Sequence, residues 1–83
     1  MTKPKFMDGS WADVPDTKVR LFAVLGQEGW ELKAYDLSVK GSPQTLESKP
    51  ASNEQNARIQ AELWAIAAHF YDGKKPLEWH STN

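Results

Sequence analysis

The stretch TKVRLFAVLGQEGWELKAYDLSVKG, residues 17–41, decides the fold, because two apolar runs flank the short segment Gly26-Gln27-Glu28-Gly29. Read as a hairpin, residues 18–25 and 30–39 are strands joined by that four-residue loop, with Leu25 opposite Trp30. This register puts Val19, Leu21, Ala23, Leu25, Trp30, Leu32 and Ala34 on one face, a candidate core. The other face carries Arg20, Phe22, Val24, Glu31, Lys33 and Tyr35, with two aromatics between two cations. Read instead as a helix, the first run would be capped by Asp13, hold Pro15 and Asp16 in its first turn, and end at Gly26. Val19, Phe22 and Val24, together with partial alternation, favour the hairpin. Under both readings a strand begins at Trp30.

Downstream, SNEQNARIQAELWAIAAHFYDG, residues 52–73, has the pattern of a long amphipathic helix over about 53–72. Ser52 and Gln55 fit a capping box, and Gly73 supplies a left-handed stop. Ile59, Leu63, Ile66, Ala67 and Phe70 recur at helical spacing as the stripe expected to face the core. Ala57, Ala61, Ala65 and Ala68 lie on the back. They are good helix formers, and they also offer a close-approach face for a homodimer. Trp64 and Tyr71 stand on the flank, residue types that anchor interfaces.

The remaining segments connect or trail. GSPQTLESKPAS, residues 41–52, is rich in Ser and Pro without apolar periodicity and is predicted to be a loop. Residues 1–10 are expected to be a frayed start. Residues 74–83 form a tail in which Leu77 and Trp79, two apart, are expected either to make a short third strand at the sheet edge or to pack back onto the helix. The expected architecture is α+β: one domain spanning residues 1–83, with a small antiparallel sheet packed against one long C-terminal helix.

Residues 25–32, LGQEGWEL, resemble a segment of short, functionally uncharacterised bacterial and phage domains. In those domains a helix closes on Leu-Gly-x-Glu-Gly and Trp-Glu-Leu opens a strand. The resemblance covers eight residues and implies no activity.

Composition narrows the function. Ten Lys and Arg against eleven Asp and Glu give a formal net charge of −1, so no long-range field favours duplex DNA or an anionic membrane. There is no cysteine, hence no disulfide, thiol catalysis or thiolate metal site, and the cytoplasm is the expected location. No apolar run approaches the roughly 18 residues of a membrane helix. His69, Asp72, Glu78 and His80 are the best metal-ligand types, but the histidines are eleven residues apart, so no metal is expected. Glu28 and Glu31 lack a partner for acid-base work, and Gly26 and Gly29 lack the third glycine of a phosphate-binding loop.

The expectation is therefore a non-enzymatic module without cofactor that binds a larger protein through Trp64, Tyr71 and Trp30. An accessory protein of phage or mobile-element origin that blocks a host surface is its concrete form. The alternative is single-stranded nucleic-acid binding through Arg20, Phe22, Lys33 and Tyr35 on an exposed sheet face.

Overall fold

The computed structural model describes residues 8–82, as a two-layer α+β unit of 34 × 31 × 19 Å. One layer is an antiparallel sheet of five strands: β1 (Gly9–Asp13), β2 (Val19–Gly26), β3 (Gly29–Asp36), β4 (Gln44–Pro50) and β5 (His80–Ser81). Their spatial order is β4-β3-β2-β1-β5. The other layer is the single helix α1 (Glu54–Ala67), which lies across β2 and β3.

The hairpin forms in the register read from the sequence, with Leu25 opposite Trp30 and one further rung, Gly26 opposite Gly29. The loop is thus the two residues Gln27 and Glu28. Neither of them has a positive φ; Gly29, with φ of 121°, carries the reversal that a side chain would resist. The helical alternative for residues 18–25 fails upstream as well. Pro15 and Asp16 occupy the centre of a tight turn in which the Thr17 amide donates to the Val14 carbonyl, and Asp16 takes φ of 62°.

Two strands lie where the sequence suggested a loop and a frayed end. The linker expected over residues 41–52 contains β4, an edge strand whose polar Thr45, Glu47, Ser48 and Lys49 and terminal Pro50 suit an unpaired rim. A bulge between Ala34 and Tyr35 leaves Leu46 without a rung, and it packs against the core. β1 occupies part of the expected frayed start; residues 1–7 lie outside the described residues. The tail supplies the extra strand at His80–Ser81, beside β1, one residue beyond the Leu77 and Trp79 pair.

The helix is shorter than expected and faces the other way. Its N-cap is Asn53, whose side-chain oxygen accepts from the Asn56 amide at 2.8 Å, while Asn56 Oδ1 accepts from the Ser52 amide at 3.1 Å. It ends at Ala67, six residues before Gly73. His69 takes φ of 68°, the Phe70 amide donates to Ala65 O, and the His69 amide donates to Ile66 O, closing a Schellman motif without glycine. The left-handed histidine lets Tyr71 turn back into the core, where its hydroxyl donates to the Lys75 carbonyl.

Ala57, Ala61 and Ala65 are fully buried against the sheet, where they meet Ala12, Leu21, Ala23, Leu32 and Ala34. The alanine face proposed for a homodimer is therefore occupied by the chain's own sheet. The stripe expected in the core points outward: Ile59, Leu63, Ile66 and Phe70 are 47%, 60%, 40% and 37% exposed. Small residues at the helix–sheet contact bring the two layers together, and the larger apolar side chains of the helix go to its outer surface.

Candidate functional site

Two outer surfaces result. The first is the ridge of α1. Ile59, Leu63 and Ile66 are spaced four and three apart on the side of the helix opposite the buried alanines, and Phe70, beyond the C-cap and the left-handed His69, is a fourth exposed apolar side chain. The four leave on the order of 300 Å² of apolar side chain in water, about the size of surface patches that are often functional. At its C-terminal end the ridge runs into an open groove, where Ile66, His69 and Phe70 face Pro15, Asp16 and Thr17 of the β1–β2 turn. Trp64 is half-buried on the flank, its ring centroid 5.7 Å from that of Phe70.

Of the three residues expected to anchor a partner, Trp64 alone adjoins this ridge. Tyr71 is only 9% exposed and belongs to the core cluster, so it is no surface anchor. Burial lifts its hydroxyl above the ordinary tyrosine value, and the nearby carboxylates of Glu62 and Asp72 push the same way. Trp30 sits at the hairpin tip beside a shallow groove formed with Glu28, Lys49 and Pro50, away from the helix ridge.

The second surface is the sheet face turned away from α1, on which Val24 is fully buried, against the solvent face expected for it, and Phe22 and Tyr35 are half-buried. Phe22 and Tyr35 meet edge to face at 5.5 Å, so the pair expected from alternation does share a face. β1 and β5 extend it with residues that the sequence reading did not place there. Trp11 is the register partner of Phe22, and His80 is the register partner of Trp11, with ring centroids 4.6 Å apart. Arg20 lies over the Trp11 ring at 4.2 Å while donating through Nε and Nη2 to Asp13 at 2.7 and 3.2 Å. Lys33 sits 3.5 Å from Glu31. Each cation of the face thus has an acidic neighbour, and the surface is aromatic with little net charge. Trp11 would have been found had GSWAD been read as a strand, but its inward residues, Ser10 and Ala12, are too small to announce a buried face.

Between the layers, Ser10 ties β1 to the helix. Its hydroxyl donates to Glu54 Oε2 at 2.8 Å and accepts from Arg58 Nε at 2.9 Å, and Arg58 Nη2 bonds Glu54 at 3.2 Å. Trp79 closes this edge, donating from Nε1 to Glu62 and lying under Arg58.

The metal-ligand candidates are dispersed: His69 follows the helix end, whereas His80 is on β5 against Trp11. Among the described residues no group of three or more such side chains is placed to hold a metal ion. Nor is any helix among them long and apolar enough to cross a membrane. No known protein family matches this chain, and no curated protein or solved structure is significantly similar to it.

Proposed function

We propose that this chain is a small protein-binding module that docks through the outer ridge of α1, with Ile59, Leu63, Ile66 and Phe70 as contacts and Trp64 at the margin. The observation that carries the reading is the orientation of the helix: it buries alanines and leaves Ile59, Leu63 and Ile66, with Phe70 just beyond its end, substantially exposed. Covering them would recover hydrophobic free energy that the isolated fold forgoes. Acting by occupying a surface of a larger protein, as an accessory protein of phage or mobile-element origin would, is the form suggested by the resemblance of residues 25–32.

The test pairs wild type with Leu63→Glu in capture from a nuclease-treated bacterial lysate, after circular dichroism establishes equal helicity. A protein retained by wild type and released by the variant is expected. An identical retained set would refute the ridge as the contact surface.

A second reading, single-stranded nucleic-acid binding, has its own support in the row Phe22, Tyr35, Trp11 and His80 on the sheet face turned away from α1, beside Arg20 and Lys33. Acidic neighbours of both cations make it the weaker reading, since phosphate binding depends on unneutralised positive charge. Fluorescence anisotropy with a labelled single-stranded oligonucleotide at low salt tests it. Binding that falls in Phe22→Ala and Tyr35→Ala supports it, and a flat titration of wild type ends it.

A further inference from the structure

We infer that the outer edge of β4 is closed to strand addition: along residues 46–50 each backbone position that could take up a further strand is blocked, and each by a different device.

Ladder geometry fixes which groups face outward. Among the described residues β4 has one neighbour, β3, so its other side is a sheet edge. The Ala51 amide donates to the Trp30 carbonyl at 2.8 Å, which makes Trp30 and Ala51 a hydrogen-bonded pair. By alternation Leu32 with Lys49 and Ala34 with Glu47 are the next two such pairs, and the backbone groups of Ser48 and Pro50 point away from β3. An incoming strand would therefore have to bond residues 50, 48 and 46 in turn.

None of the three offers it a regular donor. Pro50 has no N–H, and its place costs the sheet nothing, because its pairing with Glu31 is one that carries no ladder bond. At Ser48 the amide already donates to Oε1 of the adjacent Glu47 at 3.2 Å, and the other oxygen of that carboxylate lies 3.6 Å from Lys49 Nζ. Leu46 falls at the bulge between Ala34 and Tyr35, which leaves it without a rung while its side chain packs against the core.

An added strand would have to displace the Glu47 carboxylate, would meet no donor at Pro50, and would lose register at the bulge. The sheet thus neither extends through a second copy of the chain nor accepts an extended segment of another protein along β4. Contact with other molecules is left to the faces of the sheet and to α1.

Amide exchange followed by nuclear magnetic resonance tests the inference. Glu47→Ala should speed exchange at Ser48 about three- to tenfold, the worth of one exposed hydrogen bond, and Glu47→Gln, which keeps an acceptor, should retain part of the protection. The double variant Glu47→Ala/Pro50→Thr unblocks positions 48 and 50 together. Its amides at those positions should gain protection as the concentration is raised to millimolar, with a mass above 9.4 kDa in sedimentation equilibrium. Pro50→Thr alone serves where the double variant loses the circular dichroism of wild type. The Ser48 amide of wild type should exchange at the same rate at every concentration, since association through α1 would not touch it. Unchanged exchange in Glu47→Ala overturns the inference, as does an unblocked variant whose amides gain no protection, or a wild type whose Ser48 amide becomes protected with concentration.

Discussion

The rotation of α1 is tested by two substitutions two residues apart, on opposite sides of the helix. Ala61 is completely buried between helix and sheet, whereas Leu63 is 60% exposed. Replacing Ala61 with Leu pushes three extra carbons into a contact built for a methyl group, at a cost of about 2–3 kcal/mol in strain and displaced backbone. Leu63→Ala is the opposite case. A fully enclosed leucine would cost about 2–5 kcal/mol on truncation. With two-fifths of Leu63 covered, no closed cavity forms, and alanine's helix propensity offsets part of the loss. About 0.5 kcal/mol is expected. For a domain this size each kcal/mol moves Tm by about 4–8 °C. Ala61→Leu should therefore melt about 10–20 °C below wild type and Leu63→Ala within about 5 °C of it. The assay is thermal circular dichroism at low micromolar protein. A loss of about 10 °C or more in Leu63→Ala with Ala61→Leu unchanged would refute the orientation and return the apolar stripe to the core.

Three further expectations follow from single contacts. Ser10→Ala removes the hydroxyl that joins Glu54 and Arg58 beneath the helix; because both charged groups can partly rehydrate, urea denaturation should show a loss of about 1 kcal/mol. Gly9→Ala places a methyl 2.2 Å from the Ala23 carbonyl oxygen at a φ of 134°, so β1 must leave β2, and a loss above about 3 kcal/mol with collapse of the near-ultraviolet Trp11 signal is expected. Tyr71 is neutral in the fold and its hydroxyl is held above the reference value of 10.0. The folded state therefore binds more protons than the unfolded chain above that pH, and stability, intact below it, falls as pH rises toward the folded value. Tyr71→Phe should flatten the fall in Tm between neutral and alkaline pH, and an unchanged slope would refute the assignment.

What could be read from the sequence depended on where large side chains sit relative to the core. The hairpin was legible because Val19 and Leu32 each sit between charged residues, alternation is partly kept through Leu21, and the glycine pair brackets the turn. The existence of α1 was legible from its period, but its rotation was not. Periodicity reports that Ile59, Leu63 and Ile66 share a face, and that Ala57, Ala61 and Ala65 share the opposite one; it does not say which face is covered. The usual rule assigns the larger residues to the core and here gives the reverse of the fold. β1 was hidden for the same reason, since it turns Ser10 and Ala12 inward and Trp11 outward. β4 was hidden because an edge strand needs few apolar contacts: Leu46 alone packs inward, through a bulge that breaks alternation. The helix end was missed because Tyr71 burial, a tertiary effect, places the left-handed residue that closes the helix at His69, four residues before the likewise left-handed Gly73.

The small-residue core also bears on function. An alanine pair at a helix–sheet contact buries far less apolar surface than a leucine pair, so the gain per residue is modest against a backbone ordering cost of about 1–2 kcal/mol. The same choice displaces Ile59, Leu63, Ile66 and Phe70 to the outside, where they add nothing to the isolated fold beyond partial contacts. A sequence selected only for stability would exchange the two faces or make the ridge polar. Retaining large apolar groups in water has a solubility cost, which is offset when something covers them. Whatever occupies the ridge must then stabilise the fold by mass action, because it binds the native state and not the unfolded chain. Stability and binding are thereby coupled through one surface. Wild type should melt at a temperature that rises with the concentration of its partner, and Leu63→Glu should abolish that rise while leaving the unliganded Tm nearly unchanged. A ridge variant with lower stability but the same concentration dependence would place the covering surface elsewhere.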